Sequence, residues 1–131
     1  MNFDPLNQFQ EDVTNVLVRH KSLLDVITKF QESCSRVNRA VVKSASNCGC
    51  IEIIGKHQKV PSDATYEEIN QFLSNNIVGE LCDVCRDKVE QEIGNCLFYL
   101  AAVSSTLNIE LSDIMEKQWK NIKTLGKFSL Y

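Results

Sequence analysis

The sequence predicts an all-α fold: a bundle of four to five helices in a single domain spanning residues 1–131. Three features predict it. Apolar residues recur at spacings of three and four over most of the chain, which lines one face of a helix. Gly49, Gly55 and Pro61 punctuate one central stretch between two long periodic segments. Two close-spaced cysteine pairs flank that stretch and would pin it if they shared a metal ion.

The first helix is predicted over about Phe3 to His20, with Phe3, Leu6, Phe9, Val13, Val16 and Leu17 on its apolar face. The second runs from about Ser22 to Ser46. Its Leu23, Ile27, Phe30, Cys34, Val37 and Val41 alternate steps of four and three. That heptad seam needs a partner helix, in this chain or in a second subunit. Asn47 to Ala64 break the pattern with Gly49, Gly55 and Pro61, and Ile51, Ile53 and Ile54 suit a short extended piece in the loop. Thr65 and Glu68 match a capping box and should start a short helix over about Tyr66 to Leu73.

A long helix follows over about Gly79 to Leu107. Leu81, Cys85, Val89, Ile93, Cys96, Leu97, Leu100 and Val103 share its broad apolar face. Gly94 inside it costs up to about 1 kcal/mol relative to alanine, which predicts a close approach by another backbone. Asn108 suits a C-cap. Ser112 is the expected cap of the last helix, with Ile114, Met115, Trp119 and Ile122 on the buried side and Gly126 ending it.

The chain has 131 residues, a formal charge of −3 and a pI of about 5.4, with 44% hydrophobic and 24% charged residues. This balance is ordinary for one globular domain and does not suit a general nucleic-acid binder, which carries a basic face. The longest apolar stretch, around Cys96 to Val103, is about half a membrane span. The start, Met-Asn-Phe-Asp-Pro, has no basic region leading into an apolar core, so the expected location is the cytoplasm.

Six cysteines are many for this length. In a reducing compartment, close-spaced cysteine pairs are metal ligands more often than disulfides. Cys48-Gly49-Cys50 sits in the loop after the second helix, and Cys82-Asp83-Val84-Cys85 at the start of the long helix. Zinc takes four thiolates in a tetrahedron, and the helix N-terminus near Cys82 favours negative sulfur. Four cysteines close the coordination shell, so the expected zinc is structural. An iron–sulfur cluster and four ligand-free thiols are the alternatives. Cys34 and Cys96 fall on apolar helix faces and read as small buried hydrophobes.

Glu90-Gln91-Glu92-Ile93-Gly94-Asn95-Cys96-Leu97-Phe98-Tyr99-Leu100-Ala101-Ala102, followed by Leu107-Asn108-Ile109-Glu110-Leu111, resembles the second half of the MazG family of nucleoside triphosphate pyrophosphohydrolases. The resemblance covers roughly Lys88 to Trp119, about a third of the chain. It implies an all-α MazG-like bundle, assembly into a homodimer or higher oligomer, and a nucleotide held through Mg²⁺. Glu92-Ile93-Gly94-Asn95 stands where the family carries ExxD, with Asn95 in place of the aspartate. The resemblance thus casts Glu92 and Asn95 as the catalytic metal-holding residues and Glu68, of Glu67-Glu68-Ile69-Asn70-Gln71, as a further cofactor-binding residue. Residues i and i+3 do share a helix face, and Mg²⁺ prefers oxygen ligands. Asparagine offers an oxygen without charge, which weakens the site. The family's earlier EExxE motif is not matched by Gln31-Glu32-Ser33-Cys34-Ser35, and Glu67 to Gln71 ends in glutamine.

Two functions follow as expectations. One is a MazG-like, Mg²⁺-dependent nucleotide pyrophosphohydrolase, degenerate in its acidic set. The other is a non-catalytic, zinc-stabilised helical module that binds a protein partner or senses a ligand. His20, His57 and Trp119 read as structural or surface residues, and Arg36, Arg39, Lys43, Lys56 and Lys59 as solvated cations.

Overall fold

The computed structural model describes residues 4–126. Among them the chain is mostly helical, with five α-helices and one two-stranded sheet. In order these are α1 (Pro5–Val16), α2 (Leu23–Lys43), β1 (Ile51–Ile53), α3 (Tyr66–Ile69), β2 (Ile77–Gly79), α4 (Asp83–Thr106) and α5 (Leu111–Leu125). None of these helices is long and apolar enough to cross a membrane. Contacts divide the described chain into two compact units, residues 4–37 with 91–126, and residues 38–90.

In the first unit, Asp4 caps α1. Its Oδ1 accepts the Leu6 and Asn7 N–H groups at 3.1 and 3.3 Å, and Pro5 takes the first helical position, where its missing N–H costs nothing. Helix α1 is shorter than its apolar spacing predicts and ends at Val16. His20 therefore lies beyond the helix, where its Nδ1 meets Asp25 Oδ2 in the first turn of α2. Phe3, expected on the α1 face, lies outside the described residues. The core gathers Val13, Leu17, Val26, Ala101, Ala102 and Leu111, with Leu6, Phe98 and Val103 packed against it.

The end of α4 follows the Asn108 expectation in detail. Asn108 takes the left-handed conformation at φ 57°. Its N–H donates to Ser105 O at 3.0 Å, and that of Ile109 donates to Ser104 O at 2.8 Å. These two bonds satisfy carbonyls that the helix end would otherwise leave open.

The start of α5 is a correction. Ser112 does not cap it. The cap position is Glu110, whose side chain makes no capping bond. Gln10 of α1 supplies the missing partner, with its Oε1 accepting the Leu111 N–H at 2.8 Å. Its Nε2 donates to Ile109 O at 2.8 Å and to Ser105 Oγ at 3.1 Å. Ser112 Oγ instead donates to Asp4 Oδ2 at 2.8 Å and meets Asn7 Oδ1 at 2.7 Å, tying α5 to the first turn of α1. The bond from Ser112, followed by those from the Asn7 and Leu6 N–H groups, holds the Asp4 carboxyl below its usual pKa.

Two packing expectations also change. Ile114, Met115, Trp119 and Ile122 were expected in the core but are exposed, Trp119 by 55%. Only Leu111, at the head of that stripe, is buried. In α2 the buried residues are Val26, Ser33 and Ala40, one position away from the predicted seam, while Leu23, Ile27 and Val41 are exposed. Periodicity marks the apolar side of a helix, but small residues on that side are the ones a neighbour can approach closely. Gly94 does not mark a close approach either, because a Cβ there would have no neighbour within 4 Å.

Replacing the Gln10 side chain by Ala would orphan the Leu111 N–H and the Ile109 carbonyl at once. Because Gln10 is only 8% exposed, Gln10→Ala should cost roughly 2 kcal/mol, the penalty for unmet buried polar groups. Urea denaturation followed by circular dichroism would measure it, and a loss below about 0.5 kcal/mol would show that water replaces the side chain fully.

Candidate metal centre

The second unit is built around four sulfurs. After Lys43 the backbone widens into a π-helical turn over Ser44–Cys48, which Gly49 closes in the left-handed conformation at φ 79° with its N–H on Ser44 O at 2.9 Å. This glycine permits the reversal between the first cysteine pair. Cys50 then leads into β1, which pairs antiparallel with β2 through Ile51↔Gly79, Glu52↔Val78 and Ile53↔Ile77. Three residues past Gly79 comes Cys82, and Cys85 lies in the first turn of α4. The ribbon thus carries the first cysteine pair on the entry to one strand and the second on the exit from the other.

Gly79 is a condition of this ribbon. Its φ is +90°, and a Cβ on it would stand 2.6 Å from the Cys50 carbonyl oxygen. That atom is backbone beside a sulfur-bearing residue, so it cannot swing aside as a flexible side chain would. The strand also explains why α4 begins at Asp83 and not at the predicted Gly79, because Ile77–Gly79 are used in pairing.

The ligand atoms of Cys48, Cys50, Cys82 and Cys85 all lie within 4.8 Å of one another, a group able to hold a metal ion. The Cys48 and Cys82 sulfurs are 3.8 Å apart. Tetrahedral zinc with bonds of about 2.3 Å separates its sulfurs by about 3.8 Å, so the spacing fits an ion of that size. Among the described residues this is the one group of three or more His, Cys, Asp or Glu side chains that converges in this way.

The thiols are not equivalent. Cys82 accepts the Cys85 N–H at 3.4 Å. That bond, followed by the one from the Cys85 thiol, brings the Cys82 pKa down from 9.0 to about 7. Cys85 moves the other way, to about 12, because its proton is held toward Cys82 and burial disfavours its charge. Cys50 Sγ points at Ser44 O, 3.7 Å away. A metal ion would reverse this division, since a bound thiol is deprotonated outright.

The other predicted residues lie elsewhere. Glu68 closes the expected capping box: its N–H donates to Thr65 Oγ1 and its Oε2 accepts the Thr65 N–H, both at 3.3 Å. Helix α3 is shorter than predicted and ends at Ile69. His57 stays apart from the sulfurs and lines a 290 Å³ cleft of the second unit with Phe72 and Ile77. In the first unit Glu92 is buried, 6% exposed. Asn95 lines a polar pocket of 190 Å³ with Lys29, Glu32, Ser33, Arg36 and Tyr99. Glu32 there receives Arg36 at 3.1 Å and Lys29 at 3.3 Å. These two cations, Arg36 first, hold its carboxyl below the usual range. Among the described residues, no group of three or more converging His, Cys, Asp or Glu side chains includes Glu92. Cys34 and Cys96 are half-buried and touch, with sulfurs 3.6 Å apart.

Sequence reasoning missed Gly79 and the second strand. The signal was the run Ile77-Val78, β-branched residues that favour strands, facing the Ile51–Ile53 run across the loop. Comparison with protein-family models, curated proteins and solved structures found no match.

Four outcomes are expected. Protein purified under reducing conditions without chelator should carry about one zinc per chain by elemental analysis, and Cys82→Ser should lose most of it and melt at lower temperature. Gly79→Ala should weaken metal retention in a chelator competition while leaving every sulfur in place; retention equal to wild type would show that the ribbon yields easily. In metal-free protein, iodoacetamide near neutral pH should modify Cys82 before Cys85. The lowered Cys82 pKa adds stability to the metal-free fold as pH rises from about 7 towards the ordinary 9.0, stability that disappears again as pH falls through about 7, and above 9.0 the raised Cys85 pKa works against it. Melting temperature against pH would read the loss.

Proposed function

We propose that this chain is a zinc-stabilised helical interaction module on a divergent MazG-like frame, working through its helical surface and not through catalysis. What carries the reading is the combination of a closed four-sulfur centre with an α5 face of large apolar side chains that is exposed among the described residues. Four thiolates fill a tetrahedral zinc ion, so no position remains for water or substrate, and the ion's work is to hold the ribbon against the start of α4. A thiol centre of this kind keeps its metal in a reducing compartment, which supports the cytoplasm as its location.

A second reading keeps the hydrolase. The pocket beside Asn95 supports it, since Lys29 and Arg36 could receive phosphate oxygens there. Against it stand the neutral Asn95 and the pairing of Glu32 with both cations, which already balances them at the surface. Mg²⁺ held by Glu92 and Asn95 would have one formal negative charge from the pair, where ExxD supplies two.

The discriminating assay offers a panel of nucleoside triphosphates with Mg²⁺ or Mn²⁺ to the zinc-loaded wild type, Glu92→Ala and Asn95→Asp. No pyrophosphate release above background is expected from any of them. Release by the wild type that Glu92→Ala abolishes, with its fold intact by circular dichroism, would overturn the interaction reading in favour of the enzyme.

A further inference from the structure

We infer that α5 is a self-pairing surface whose partner is the α5 of a second copy of this chain, running antiparallel. The inference deepens the interaction reading above and rests on it. Ile114, Met115, Trp119, Ile122 and Leu125 recur on one side of α5 by steps of one, four, three and three, and all five are exposed. That spacing makes the stripe a helix buries against another helix. Leu111 joins the core with α1 residues, and the stripe continues past it exposed among the described residues. A contiguous apolar patch of this kind is what soluble chains close by association.

Charge indicates what covers it. Along α5 the acidic Asp113 and Glu116 come first, and the basic Lys117, Lys120 and Lys123 follow. A parallel copy would set acid on acid and base on base, whereas an antiparallel copy sets each half on its opposite. The same order suits the helix's own dipole. The dipole does not, however, require the charges to border the apolar stripe, and two of them do. Glu116 and Lys123 are seven residues apart and so share one edge of the helix. That edge adjoins Trp119, because the Lys123 ammonium lies 5.1 Å from the centre of its ring. In an antiparallel pair centred near Trp119, Glu116 of one copy meets Lys123 of the other, and two-fold symmetry makes the contact twice. The bond Glu116 now makes, to Lys120 at 3.4 Å, is between exposed groups and is cheap to exchange.

The test uses the full, zinc-loaded chain. Trp119 is its one tryptophan and sits in the proposed interface, so its emission reports pairing directly. Sedimentation should show a dimer that forms with rising concentration, and the emission should shift to the blue over the same range. Glu116→Lys and Lys123→Glu, each alone, should weaken the dimer by about tenfold or more through like-charge contacts. Mixing the two variants should restore pairing as a heterodimer, while thermal melts show both folded. A wild type that stays monomeric with unshifted emission overturns the inference. So does a dimer that neither variant weakens, which would use another face, or a mixture no better than its parts, which would exclude the antiparallel register. None of these results touches the nucleotide assay, so failure of self-pairing and failure of the interaction reading are read separately.

Discussion

The convergence of four sulfurs is the constraint on which the second unit depends. Of this unit's hydrophobic residues only Ala40, Ile51 and Val89 are buried. Its strands are three residues each, and β2 is exposed throughout. An isolated two-stranded ribbon is marginal in water. What fixes it is the requirement that Cys48 and Cys50 arrive at the same point as Cys82 and Cys85. The π-helical turn, the reversal at Gly49 and the close passage of Gly79 over the Cys50 carbonyl all meet that requirement. Four sulfurs so close together are a poor arrangement as thiolates alone, because like charges repel. A cation among them turns that repulsion into binding energy, which becomes folding energy.

The first unit is held differently. A small core of Val13, Leu17, Val26, Ala101, Ala102 and Leu111 is joined by a polar bracket between α1 and the turn before α5. Gln10 is the centre of that bracket, answering one open N–H and one open carbonyl where no local side chain does. Because the bracket fixes α5 at its N-terminal end, the rest of the helix is oriented without being covered. The same feature that secures α5 to the unit therefore presents Trp119 and Ile122 outward.

Much of this was legible in the sequence. Asn108 as a helix stop and the Thr65–Glu68 box rest on short-range rules, and the structure has them where those rules place them; the two cysteine pairs, 34 residues apart, also converge. The cysteine spacing was legible because a metal ion tolerates few geometries. The ribbon was half legible: the isoleucine run after Cys50 suggested an extended piece, but its partner was hidden, since the apolar spacing of the long helix already took in Gly79.

The sequence by itself determined the helical class, the Asn108 stop of α4 and the close spacing within each cysteine pair, because each depends on contacts within a few residues. Only the tertiary structure decided which side of an apolar helix is covered. The stripe on α5 has the same periodicity whether it faces α1, another chain or water, and periodicity carries no information about the neighbour. Likewise Ser112 and Gln10 both carry groups able to cap a helix, and what chose Gln10 was its approach from α1, 101 residues away along the chain. Long-range contacts of this kind depend on where whole elements settle, which local spacing does not encode.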